Sequence, residues 1–101
     1  MVEWSLLAKA DLKLIRDFIA KDSTYYAQKV ANDVVGKSEI LNEFPEIGRM
    51  VPEIGDPNIR ELFVHSYRLI YEVIPHRVVI LAVIHNKRDF SSGDFDKLRS
   101  N

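Results

Sequence analysis

The chain has 101 residues, 47% of them hydrophobic, with a formal net charge of −1 and a pI of about 6.3. Such a length suits one domain around one core, such a composition excludes a disordered chain, and the charge argues against a broad grip on nucleic acid. There is no cysteine, which excludes disulfides and thiolate metal sites and fits a reducing cytoplasm.

The N-terminus, Met1-Val-Glu-Trp-Ser-Leu-Leu, lacks the basic start and cleavage site of a signal peptide. Met1 to Trp4 reads as a short strand and Ser5 as a helix N-cap. Leu6, Leu7, Ala10, Leu14, Ile15, Phe18 and Ile19 then recur at helical spacing, with Lys9, Lys13, Arg16 and Asp17 on the other side. Asp22 and Ser23 make a break, and Ser23 or Thr24 caps a second helix of about twenty residues. Its apolar face is uneven: Tyr26, Val30, Val34, Ile40, Leu41 and Phe44. Pro45 ends it. The short break predicts an antiparallel helical hairpin.

Residues 45–58 carry three prolines and two glycines and read as an irregular segment. Strands follow over 59–65, 67–74 and 77–86, with Pro75 and His76 in the last turn. Residues 67–74 alternate, whereas Val78 to Ile84 is continuously apolar, as in a strand covered on both faces. That apolar run is too short to span a bilayer, so no membrane partner is expected. Pairing Ile74 with Arg77 pairs Arg68 with Val83 and Ser66 with His85. Tyr67, Leu69, Tyr71 and Val73 then share an apolar face with Val78, Ile80, Ala82 and Ile84. Arg68 and His85 fall together on the opposite face, roughly 7–8 Å apart. The expected core includes Leu14, Phe18, Val30, Phe44, Leu69, Tyr71, Ile80 and Ala82. Residues 90–101 read as a loose tail, with a helical turn over 94–99. The expected fold is α+β: one domain over 1–101, an N-terminal antiparallel helical hairpin packed on a small twisted antiparallel sheet.

Residues 60–88 hold five basic side chains, Arg60, Arg68, Arg77, Lys87 and Arg88, against two acids, Glu61 and Glu72. His65, His76 and His85 lie there too. This basic half suits phosphate or an acidic protein segment. Solvated arginines and structural histidines are the ordinary reading of the same residues. The histidines lack metal-ligand spacing, so no metal is expected, and no phosphate loop or dinucleotide fingerprint calls for a cofactor. Metal-free RNA cleavage needs a base for the 2′-OH, an acid for the leaving oxygen and cations at the phosphate. His85 or Glu53 can serve as base or acid, and Arg68, Arg60 and Arg88 as cations.

Trp4-Ser-x-x-Ala8-x-x-Asp11-Leu12 opens a further pattern. It continues with Pro45-Glu-Ile-Gly-Arg49, Val51-Pro-Glu53, Arg60-Glu-Leu, Tyr67-Arg-Leu-Ile-Tyr71 and Val83-Ile-His85-Asn-Lys-Arg88-Asp89. In this order the segments resemble the RelE/ParE toxin superfamily over residues 2–90. The resemblance implies a bacterial type II toxin and a cognate antitoxin that wraps it. RelE-like members cut mRNA on the ribosome; ParE-like members poison DNA gyrase. Under the first, Arg68 matches the motif arginine, Glu53 falls where YoeB-like toxins carry a glutamate, and His85 is offset by one position from their histidine. No lysine stands between Lys37 and Lys87, and no tyrosine follows Tyr71. The ending His85-Asn-Lys-Arg88-Asp89 resembles ParE. The resemblance therefore leans to gyrase, with Arg49, Arg60, Arg68, Lys87 and Arg88 as contact residues, and with the ribosome and its mRNA as the alternative.

Overall fold

The computed structural model describes residues 1–88 together with positions 93 and 97; the tail reading over 90–101 otherwise lies outside the described residues. Strand β1 (Val2–Trp4) leads into helix α1 (Leu6–Ala20) and helix α2 (Thr24–Glu39), which a short 3-10 turn (Ile40–Asn42) prolongs. The remaining strands are β2 (Arg49–Met50), β3 (Ile59–Val64), β4 (Tyr67–Ile74) and β5 (Arg77–His85). Both helices start where the sequence provides an oxygen. Ser5 Oγ accepts from the Ala8 N–H at 3.1 Å and Ser23 Oγ from the Tyr26 N–H at 3.0 Å. Each such cap is worth about 1 kcal/mol.

The five strands form one sheet in the order β1-β5-β4-β3-β2. It is antiparallel except at β1, which pairs parallel to β5 through Val2–Val78 and Trp4–Ile80. A parallel partner needs a long return path, and the helical hairpin supplies it. The two hairpin turns, Val64–Tyr67 and Ile74–Arg77, place His65 and His76 at φ 53° and 68°. Histidine is among the few non-glycine residues enriched in that left-handed region.

The register departs from the simple hairpin at one point. Ile74 pairs with Arg77 and Glu72 with Val79, as the sequence predicts, but a bulge lies between Ile70 and Tyr71 on the β4 side, and Leu81 has no opposite number. Beyond it Arg68 pairs with Ile84 and Tyr67 with His85. An extra residue in one strand shifts every later side chain to the other face. The expected sharing of a face by Arg68 and His85 is therefore overturned. Ala82 and Ile84 also leave the helix face.

The continuous apolar run of β5 accordingly serves two cores. Between hairpin and sheet lie Ala8, Val30, Val34, Leu41, Leu69, Tyr71, Ile80 and Val83. On the far face lie Val51, Ile59, Ile70, Leu81, Ala82 and Ile84, with Leu7 and Ile54 packed against them. Of the expected core, Val30, Leu69, Tyr71, Ile80 and Ala82 are buried, whereas Leu14 (68% exposed), Phe18 (67%) and Phe44 (55%) are not. The apolar arc of α1 is wider than the sheet it covers. Ala8, Leu12, Ile15 and Ile19 face inward, and Leu14 and Phe18 remain outside.

Candidate functional site

The far face of the sheet carries an ion network built from alternate strand positions. Glu61 on β3 has a fully buried side chain, and Arg68 on β4 is only 4% exposed. Arg68 Nε donates to Glu61 Oε1 at 2.6 Å. Its Nη1 and Nη2 donate to the two oxygens of Glu53 at 2.8 and 2.9 Å, a two-pronged grip from the loop that follows β2. Arg49 on β2 closes the chain of charges, its Nε 2.6 Å from Glu61 Oε2. The Arg49 guanidinium also lies 5.1 Å from the Phe63 ring centre. Two cations and two carboxylates thus balance. The paired Arg68 holds the Glu53 carboxyl below the usual carboxylate range, and the carboxylates raise Arg68 further.

The loop that delivers Glu53 and Arg49 is itself pinned. The Gly48 N–H donates to the buried Tyr71 hydroxyl at 2.9 Å. A Cβ at Gly48 would stand 2.5 Å from the Glu61 carbonyl oxygen and 2.6 Å from the Tyr71 hydroxyl, so only glycine allows this approach. Arg60 clamps the same loop from the helix side, donating from Nη1 to the Gly48 carbonyl at 2.9 Å.

The candidates named from sequence separate into groups. Glu53, Arg68 and Arg49 come together. Arg60 faces away from them, bound to loop carbonyls. His85 lies across the sheet, edge-on to Tyr67 with ring centres 5.7 Å apart. Lys87 and Arg88 follow in an exposed turn, where the Lys87 N–H donates to His85 Nδ1 at 3.2 Å. Among the described residues no group of three or more His, Cys, Asp or Glu side chains could hold a metal ion, and no helix is long and apolar enough to cross a membrane.

Two residues of consequence, Glu61 and Asp11, stand in the sequence reading without a role. Glu61 is the pivot of the network; its only signal was an acid between Ile59 and Phe63 on a strand half dominated by arginine. Asp11 sits on the inward side of α1. Its Oδ2 accepts from the Val83 N–H at 3.0 Å, occupying the β5 edge past the end of β1. Burial pushes its carboxyl above the usual range, against the pull of that N–H and of Arg88. An acid inside an amphipathic helix's apolar arc was the signal available. Beside it runs a groove of about 360 Å³ lined by Leu14, Phe18, Tyr67, His85 and Arg88.

A helical hairpin thus covers one face of a small mixed sheet, and a self-neutralised ion network lies on the other. The chain belongs to the family described as the ParE toxin of the type II toxin-antitoxin system parDE, whose model matches residues 2–90. It is 35% identical over 88 residues to Toxin RelE2 of Caulobacter vibrioides, covering 86% of this chain and 96% of that protein. Its fold matches a solved chain of the chromosomal ParDE TA system from P. aeruginosa with a TM-score of 0.70. That match has 23% identity and spans 83% of this chain and 92% of the other.

Proposed function

We propose that this toxin acts by binding a protein target, DNA gyrase, and that a cognate antitoxin neutralises it. The state of Arg68 is the observation that supports this most. A cation that stabilises a cleaving phosphate must present open donors to it. Arg68 is buried and spends Nε, Nη1 and Nη2 on Glu61 and Glu53. Releasing it toward RNA would strand the buried Glu61 carboxylate, at a cost of about 3–5 kcal/mol. His85, the other candidate for proton transfer, is on the opposite face. Arg49, Lys87 and Arg88 are exposed and suit contacts with an acidic protein surface. Family membership and the ending His85-Asn-Lys-Arg88 point the same way.

Ribosome-dependent mRNA cleavage has two observations in its favour: the RelE name of the 35%-identical relative, and a carboxylate, Glu53, 32% exposed, beside an arginine. In that reading Glu53 takes the 2′-OH proton and Arg68 meets the phosphate. The deciding experiment runs a supercoiling assay with purified gyrase beside a programmed-ribosome cleavage assay, with the same toxin preparation. Loss of supercoiling with intact message supports gyrase. Codon-phased cuts with normal supercoiling, abolished by Glu53→Gln, would overturn it.

A further inference from the structure

We propose that Arg49, held beside Phe63 by Glu61, is a receptor for one carboxylate side chain on the surface of the toxin's target protein. The inference rests on the protein-target part of the preceding reading and does not need that target to be gyrase. Arg49 on β2 is paired with Glu61 on β3, and Phe63 follows two positions later on the same face. The two ends of the guanidinium are therefore employed differently. Nε donates to Glu61 Oε2 at 2.6 Å, and the central carbon lies 5.1 Å from the Phe63 ring centre. Nη1 and Nη2 make no hydrogen bond among the described residues, and the side chain is 59% exposed. A carboxylate excluded from water and a half-exposed ring thus fix the orientation of an outward-facing fork on folding, before any partner arrives.

The surroundings choose the ligand. Arg49, Arg68, Glu53 and Glu61 sum to zero, so the cluster has no net field for a phosphate backbone, whose binding grows with the number of phosphates neutralised. The guanidinium also occupies a face of Phe63 on which a base would otherwise stack. A carboxylate needs only the two outward nitrogens, whose N–H groups match its two oxygens in one plane. The neighbouring cations do not compete for it. Arg68 is enclosed by its two glutamates, and Arg60 donates to the Gly48 carbonyl on the other side of the sheet. A pre-oriented arginine beside an aromatic ring is the kind of pair in which protein interfaces concentrate binding energy.

The test measures growth arrest and gyrase supercoiling for four variants, each with its urea midpoint. Arg49→Lys keeps the charge and a bond to Glu61 but loses the fork, and should weaken the toxin's effect at least ~10-fold. Phe63→Ser leaves the Arg49–Glu61 bond in place but frees the guanidinium, and should weaken it by ~3-fold or more. Phe63→Tyr keeps the ring and should retain wild-type potency. Arg16→Ser, at an exposed cation on α1, is the control and should change neither readout. Potency lost at an unchanged midpoint in Phe63→Ser and kept in Phe63→Tyr is a result that a merely structural role would not produce. Should Arg49→Lys lower the midpoint, Phe63→Ser decides. Wild-type potency in both Arg49→Lys and Phe63→Ser, or a wild type that arrests nothing, would overturn the receptor. Retention of a short duplex DNA or RNA that Arg49→Lys abolishes would also overturn it, since the ligand would then be a phosphate. Growth arrest that needs Arg49 and Phe63 while supercoiling stays normal would uphold the receptor and sink gyrase as the target, so the two readings fail separately.

Discussion

Replacing Arg68 with Met removes the cation that two carboxylates share while keeping most of its buried volume. Glu61, with a side chain excluded from water, would then keep only Arg49, whose side chain is 59% exposed. Removing one partner of a buried pair costs about 3–5 kcal/mol. The surviving Arg49 contact and the partial exposure of Glu53 place this case near the lower figure. For a domain of this size, about 3 kcal/mol corresponds to a fall in melting temperature of roughly 12–24 °C. Arg68→Lys should cost less, about 1–2 kcal/mol, because one ammonium cannot make the fork to Glu53 and also hold Glu61. Adding Glu61→Leu to Arg68→Met removes the stranded carboxylate, so the double variant should be more stable than the sum of the single losses by at least ~1 kcal/mol. Urea unfolding of the four proteins, read by Trp4 emission and circular dichroism, gives the cycle. A cost below ~0.5 kcal/mol for Arg68→Met, or strict additivity in the cycle, would refute the view that this arginine is structural.

The other predictions concern the same scaffold. Gly48→Ala should destabilise by about 1–3 kcal/mol, since the Glu61 carbonyl or the Tyr71 hydroxyl must retreat; thermal unfolding checks it. Glu53 has a carboxyl lowered by Arg68, so its stabilisation is present above the unfolded value near 4.5 and fades as pH falls through the lower folded value. Urea midpoints of the wild type should therefore drop between pH 5 and 3 more steeply than those of Glu53→Gln. For Asp11 the sign is opposite: its carboxyl is raised, so the folded state favours the protonated form and loses stability as pH rises through the folded value. Asp11→Asn keeps an oxygen for the Val83 N–H, so its melting temperature at pH 7 should equal or exceed the wild type, with any gain vanishing as pH approaches 3.8. Leu14→Ser and Phe18→Ser should each change stability by less than ~0.5 kcal/mol, whereas Leu41→Ala should cost about 2–5.

Local chemistry was legible in the sequence because its causes are local. The caps at Ser5 and Ser23, the stop near Pro45 and the strand limits around residues 64, 67, 74 and 77 all follow from neighbouring residues. Pairing β1 beside β5 was not legible, since nothing in Val2–Trp4 states which edge it joins. The bulge was hidden because Val78 to Ile84 is apolar throughout, and an unbroken run carries no alternation to mark a slip. The arginines were legible as a basic strand half, but their partners were not. Glu53 reaches Arg68 across fifteen positions of chain through a glycine approach, and counting charges along the sequence cannot show that two of them cancel. His85 was misassigned for the same reason as the register: its face depends on Leu81, four residues earlier.

That single unpaired Leu81 makes β5 behave like two strands spliced out of phase. Before it, odd and even positions address one pair of neighbours; after it, they trade. Removing Leu81 would join the two in phase: Ile80 would adjoin Ala82 in plain alternation, with Val83 still opposite Leu69 and His85 still opposite Tyr67. Keeping Leu81 while flattening the bulge would instead act as a frameshift in space, turning Val83 from the hairpin to the loop and His85 from the Tyr67 side to the Arg68 side.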